Sequence, residues 1–258
     1  MGQIRNRQGV VLFTSMDEDI VSALERAVEG GVDLAGAVLD EYDLSGADLE
    51  DARLAGASFR RANLEGVNLE DSDLAGADFS GALLPGSNFE DCQLSGANFE
   101  GAILEDANFE DARMDHANLA GARAQGANFE EVVLSEANLA GLKGEGANFE
   151  DADLAGASLR GARLSRANLE KCDLRRADLS SADLFEANLE KARLDDARLE
   201  GAQVRMANAE KASLRGAKLA SADLSGSNFE RADLTGADLA NARTAGANLD
   251  GVRGLGPR

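Results

Sequence analysis

Ala107-Asn108-Phe109-Glu110-Asp111 is followed by Ala112-Arg113-Met114-Asp115-His116, Ala117-Asn118-Leu119-Ala120-Gly121 and Ala122-Arg123-Ala124-Gln125-Gly126, then nearly repeats itself as Ala127-Asn128-Phe129-Glu130-Glu131. The same five-residue beat runs without a slip from Leu34 to Leu249. Of its 44 quintets, 38 carry Leu or Phe at the centre and 34 carry Ala two positions earlier. A period of five suits neither a helix nor a strand, so the chain must close into a solenoid in which each turn buries its apolar residues against the next.

Slower columns give the length of one turn. Glu follows the central residue at 50, 70, 90, 110, 130, 150, 170, 190, 210 and 230, whereas 60, 80, 120 and 140 hold Arg, Ser, Ala and Ala. That column repeats every twenty residues. Four quintets therefore make one coil with four sides, and 44 quintets make 11 coils.

Segments such as Ala107-Asn108-Phe109-Glu110-Asp111 and Ala177-Asp178-Leu179-Ser180-Ser181 resemble the A(D/N)LXX consensus of the pentapeptide-repeat family. The resemblance implies an all-β fold, a right-handed four-sided parallel β-helix. It also implies a protein partner, because the members with known roles include proteins that bind DNA gyrase and protect it from inhibitors. In the DNA-like members two chains meet through their C-terminal ends.

Residues 1–30 break the period. Ile4 to Phe13 reads as a hairpin around Asn6-Arg7-Gln8-Gly9, and Asp17 to Glu29 as an amphipathic helix with Ile20, Leu24, Ala27 and Val28 on one face. The expected division is an N-terminal cap over 1–30, the β-helix over 31–250 and a tail over 251–258. Tyr42, in place of Ala in the first coil, is expected to pack under the cap. Beside Gly144 stands Leu142 in an Ala column, an exchange of large for small that keeps the core filled.

The chain has no run of eighteen apolar residues and no signal-peptide pattern, so a cytoplasmic location is expected. Cys92 and Cys172 lie four coils apart, roughly 19 Å at about 4.8 Å per coil, too far for a disulfide. His116 stands at an outward position with no second His or Cys near it. No phosphate loop, nucleophile elbow or zinc spacing occurs, so neither an enzyme nor a cofactor or metal site is expected. Three threonines, at 14, 235 and 244, are too few for an ice-binding array.

Charge is the second organising feature. The net charge is −21, and residues 31–160 hold 27 acids against 7 bases, whereas 161–258 hold 15 against 16. Beside the Glu column runs a second at Asp51, Asp71, Asp91, Asp111, Glu131 and Asp151, which turns basic at Lys171, Lys191, Lys211 and Arg231. The expected partner-binding stripe is thus Glu50, Asp51, Glu70, Asp71, Glu90, Asp91, Glu110, Asp111, Glu130, Glu131, Glu150 and Asp151, with both columns facing solvent.

Two functions are compatible with such a rod. One is a DNA mimic that occupies the basic surface of a type II topoisomerase such as gyrase or topoisomerase IV, without binding nucleic acid or membrane. The alternative is a passive scaffold whose acidity serves solubility. The Gly-rich tail is too short for a helix, so the last coil is either frayed or covered by another molecule; the arrangement that the resemblance implies would cover it, and a homodimer through Leu239, Leu249, Val252 and Leu255 is expected.

Overall fold

Each quintet builds one turn and one short bridge. The central residue's carbonyl accepts a hydrogen bond from the N–H three residues on, as from Ala112 to Phe109 at 3.1 Å. The third turn residue is left-handed, with Asp111 at φ 58° and Gly121 at 65°. Glycine is the natural occupant of such a corner. Among the described residues, twenty-three left-handed positions nevertheless carry a side chain.

The computed structural model describes residues 2–16 and 19–254. Parallel bridges run from Asp33↔Arg53 to Asp233↔Arg253, and each joins residues twenty apart. Around Phe109 the pattern is Phe109 N–H to Asn128 C=O at 2.8 Å and Asn128 N–H to Ala107 C=O at 2.9 Å. The backbone is thereby satisfied from coil to coil, the condition for a buried polar main chain.

The core is a continuous column in which central Leu and Phe alternate with the minus-two Ala, fully buried from Leu34 to Leu234. Phe59, Phe79 and Phe99 stack at 4.8 Å, and Phe89, Phe109, Phe129 and Phe149 stack at 4.8–5.0 Å. The two stacks meet edge to face at 5.6–5.8 Å. Such pairs add about 0.5–1.5 kcal/mol each beyond area burial. They lie under the most acidic coils, where they offset the repulsion outside.

Leu142 is fully buried. A Cβ on Gly144 would meet Leu164 Cδ2 at 3.2 Å and Leu142 Cδ2 at 3.3 Å, so the leucine occupies the room that the glycine leaves. Both cysteines are buried and free. Burial pushes the Cys92 thiol up to about 12.

The N-terminal segment forms strands β1 (Gly2–Arg5) and β2 (Val11–Ser15) and helix α1 (Ile20–Glu29). β1 and β2 pair antiparallel, and Arg5 C=O accepts the Val38 N–H of the first coil at 2.8 Å. Ile4, Leu24 and Ala27 join the core column. Asp19 caps α1 by accepting the Ser22 N–H at 3.0 Å, so the helix opens at Ile20; the expected start at Asp17 lies outside the described residues. Tyr42 is not packed under this segment. It is 45% exposed, because the minus-two site is sized for Ala and a phenol ring overfills it.

Candidate binding edge

The two acidic columns occupy the two central residues of one row of turns, so the fold brings all twelve expected stripe residues onto one edge. The columns are not equivalent, however. Asp51, Asp71, Asp91, Asp111, Glu131 and Asp151 sit at left-handed corners and are exposed. Glu70, Glu90, Glu110, Glu130 and Glu150 are half-buried, contrary to the expectation that both columns face solvent.

The cause is an asparagine ladder that the charge pattern did not reveal. Asn128 Nδ2 donates to Asn108 Oδ1 at 3.0 Å and to Glu110 Oε2 at 3.1 Å. The same arrangement joins Asn88 to Glu70, Asn108 to Glu90, Asn148 to Glu130 and Asn168 to Glu150 at 3.0–3.2 Å. Each Asn in turn accepts the N–H two residues on, as from Glu130 to Asn128 at 3.3 Å. One oxygen of each Glu is thus tied to the rod and the other, Oε1, is turned away from the ladder. The signal was present, since Asn recurs every twenty residues from 68 to 248.

Electrostatics divide the edge. The neighbouring Glu70 charge, with lesser contributions from partial desolvation and nearby aspartates, raises the Glu50 carboxyl above its ordinary 4.5. Glu90 is raised by desolvation and then by Glu70 and Glu110. Among the described residues no cationic side chain pairs with Glu70, Glu90, Glu110 or Glu130. From the next coil the pattern reverses. Lys171 Nζ bonds Glu150 Oε1 at 2.9 Å and Asp151 Oδ2 at 3.0 Å, and Lys191 Nζ lies 3.3 Å from Glu170 and 2.8 Å from Glu190. Glu150 and Glu190 are accordingly lowered. Glu150 and Asp151, expected to be free, share the Lys171 ammonium, and the stripe without a cationic partner ends at Glu131.

Elsewhere the surface offers less. An open groove where α1 meets the first coils is lined by Glu25, Val28, Glu29, Asp48, Glu50 and Asp51. His116 occupies an exposed left-handed corner. Among the described residues no group of His, Cys, Asp and Glu is arranged to hold a metal ion, and no helix is long and apolar enough to cross a membrane. Leu239, Leu249 and Val252 lie in the last described coil and are partly buried against the core, while Leu255 lies outside the described residues.

The described residues thus form a parallel β-solenoid with a graded acidic edge and a closed, side-chain-filled interior. The chain belongs to the pentapeptide-repeat family: the sequence profile for pentapeptide repeats matches in eight copies spanning 33–71, 72–111, 112–143, 145–180, 162–201, 172–216, 192–236 and 212–251. It is similar to HetL, a pentapeptide repeat protein involved in heterocyst differentiation regulation from the cyanobacterium Nostoc sp. strain PCC 7120. The identity is 30%, over 90% of this chain and 95% of that one, with a TM-score of 0.68. Trypsin-treated QnrB1, a plasmid-mediated fluoroquinolone resistance protein, is 27% identical over 74% of this chain and 86% of its own, at a TM-score of 0.33. Rfr23 from the cyanobacterium Cyanothece 51142 is 24% identical over 51% and 90%, at a TM-score of 0.26. No curated protein matches the sequence significantly. The fold is accordingly the right-handed β-helix of this family.

Proposed function

We propose that this protein is a non-enzymatic DNA mimic that lays its acidic edge on the basic DNA-binding surface of a type II topoisomerase, gyrase or topoisomerase IV, in the cytoplasm. The observation that carries the reading is the uncompensated double column from Glu50 to Glu131, which ends abruptly at Lys171. Residues 31–160 carry a net −20. At twenty residues per coil and about 4.8 Å per coil they span roughly 31 Å, over which B-DNA, with one charge per about 1.7 Å, would carry about 18. The type of DNA-handling partner follows from the family resemblance.

The same reading takes the four quintets of each coil as four sides and the rod as eleven coils. Residues 1–30 serve as its cap, 31–250 as the β-helix and 251–258 as the tail. It also takes the rod as a homodimer joined at the last coil through Leu239, Leu249, Val252 and Leu255.

The test is a gyrase supercoiling assay with the protein titrated in, run with and without a quinolone. The parent should inhibit or protect at stoichiometric concentration, and Glu110→Lys with Asp111→Lys should abolish the effect. Glu190→Lys, in the neutralised half, should leave it intact. Equal loss in both variants, or none in either, would leave the scaffold reading in place.

A further inference from the structure

One side of the rod begins with an open strand. The bridges Val38↔Ser58, Ser58↔Asp78 and onward to Lys218↔Asp238 run up this side. Before Val38 the sheet is continued by β1, whose Arg5 C=O accepts the Val38 N–H at 2.8 Å, and the adjoining Asn6 bridges Ala37 in the antiparallel sense. β2 pairs with the far side of β1, so it is the outermost strand, and among the described residues no strand pairs with its other edge. Gln3, Arg5, Val11 and Thr14 face solvent, whereas Ile4 and Ser15 are buried and Phe13 packs on the core, the pattern of an antiparallel sheet with one wet face. Edge strands are ordinarily protected by charge, proline or a covering element. Residues 8–16 carry neither a charge nor a proline. A bulge at Leu12 interrupts the ladder but leaves residues 13–15 in regular register, centred on Thr14. Four of the six large apolar side chains exposed among the described residues, Val10, Val11, Met16 and Tyr42, also belong to this end of the rod.

We propose that β2 is a docking edge for the β2 of a second copy, the two strands pairing antiparallel about a two-fold axis at Thr14 and joining two rods head to head. An open edge presents main-chain hydrogen-bonding groups and so calls for a strand. Three features select this one. It is extended and uncharged over the same residues. Rotation about Thr14 keeps residues 13 and 15 on the core side in both copies, because the side-chain period is two. The same rotation sets position 9 of one copy against position 19 of the other, which brings the exposed basic turn of Arg7 toward the exposed acid of Asp19 at the start of α1. An isologous pair makes that attraction twice. The inference rests on neither the topoisomerase reading nor the joint at the last coil.

The contact is small, so the test is a covalent trap. Residues directly opposite in an antiparallel pair have Cα atoms about 4.5–5.5 Å apart, within the roughly 7 Å that a disulfide spans. Thr14→Cys in the full chain, incubated with oxidised glutathione, should therefore give a dimer on a non-reducing gel, and the native cysteines, both buried, do not compete. Met16→Cys is the control. Met16 is 87% exposed, yet an axis at Thr14 holds the two copies of position 16 about 14 Å apart. Thr14→Cys should cross-link about tenfold faster or more, since it alone lies within disulfide reach. Arg7→Glu in the Thr14→Cys chain should slow the reaction about threefold, the effect of an exposed ion pair. A pair joined only at the last coils keeps its two Thr14 positions roughly 100 Å apart at about 4.8 Å per coil, so that joint cannot yield the trapped species. Circular dichroism confirms that each variant is folded. Cross-linking of Met16→Cys as fast as Thr14→Cys marks random collision or parallel pairing and overturns the proposal, as does a rate unmoved by Arg7→Glu. Absence of a Thr14→Cys dimer overturns it too and leaves the edge to a strand of another protein.

Discussion

Asn128 binds Glu110 across one coil, its Nδ2 lying 3.1 Å from Glu110 Oε2 while its own Oδ1 accepts from Asn148 at 3.0 Å. Asn128→Ala removes four hydrogen bonds and leaves Glu110 Oε2 without its donor and the Glu130 N–H without its acceptor. Stability should fall by about 1–3 kcal/mol, the cost of unsatisfied partly buried groups. Asn248→Ala, at the exposed end of the ladder, should cost less. Thermal melts of the two variants provide the comparison. Equal losses would mean that the ladder does not hold the edge.

Gly144→Ala should destabilise by about 1–3 kcal/mol, because its Cβ would press on Leu164 and Leu142. Leu142→Ala alone should also destabilise, by opening a cavity. Combined as Leu142→Ala with Gly144→Leu, the quintet regains the ordinary pattern. The double variant should then be more stable than the sum of Leu142→Ala and Gly144→Leu measured singly, a coupling that denaturant unfolding resolves.

The two halves should respond to acid in opposite directions. Glu150 and Glu190 are lowered from 4.5 chiefly by hydrogen bonds from Lys171 and Lys191. Their contribution is therefore fully present above the unfolded value and is lost as pH falls through the folded one. Glu50 and Glu90 are raised, so their repulsion is greatest above the folded value and eases as pH falls toward the unfolded one. As pH falls, segment-resolved hydrogen exchange, corrected for the intrinsic rate, should show protection rising around residues 50–110 as 4.5 is approached from above, and falling around 150–190 only once pH drops below 4.5. A uniform change along the rod would refute this division.

Leu239→Arg with Leu249→Arg should convert the proposed dimer to a monomer, because two guanidiniums would meet their symmetry copies at the joined ends. The rod itself should survive, since both leucines are only partly buried. Sedimentation of parent and variant decides the matter. A monomeric parent would remove the proposal.

The fold was legible because its period is so strict: turn, centre and minus-two column could each be placed from spacing alone. The twenty-residue recurrence of Glu and Asp also located the acidic edge. What escaped was the third dimension of that edge. A Glu at the first turn position is drawn toward the Asn ladder and half-buried, and only contacts between coils reveal it. For the same reason Glu150 and Asp151 read as free, although Lys171 reaches back one coil to pair with both. Tyr42 was misplaced because its neighbours in sequence do not show how narrow the minus-two site is.

The left-handed corners have a consequence for how such a surface changes over time. A corner requires only that its residue tolerate a positive φ, a requirement met here by Asp, Glu, Lys, Arg, Ser, Asn, His and Met alike. Corner identity is thus largely uncoupled from the interior, and a single substitution rewrites one rung of the exterior while the backbone of the rungs above and below stays in place. Asp at 151 and Lys at 171 are two such rungs, and the boundary between them sets the length of the anionic edge. Moving that boundary by one coil takes one codon, so the span this rod presents is adjustable in steps of about 4.8 Å.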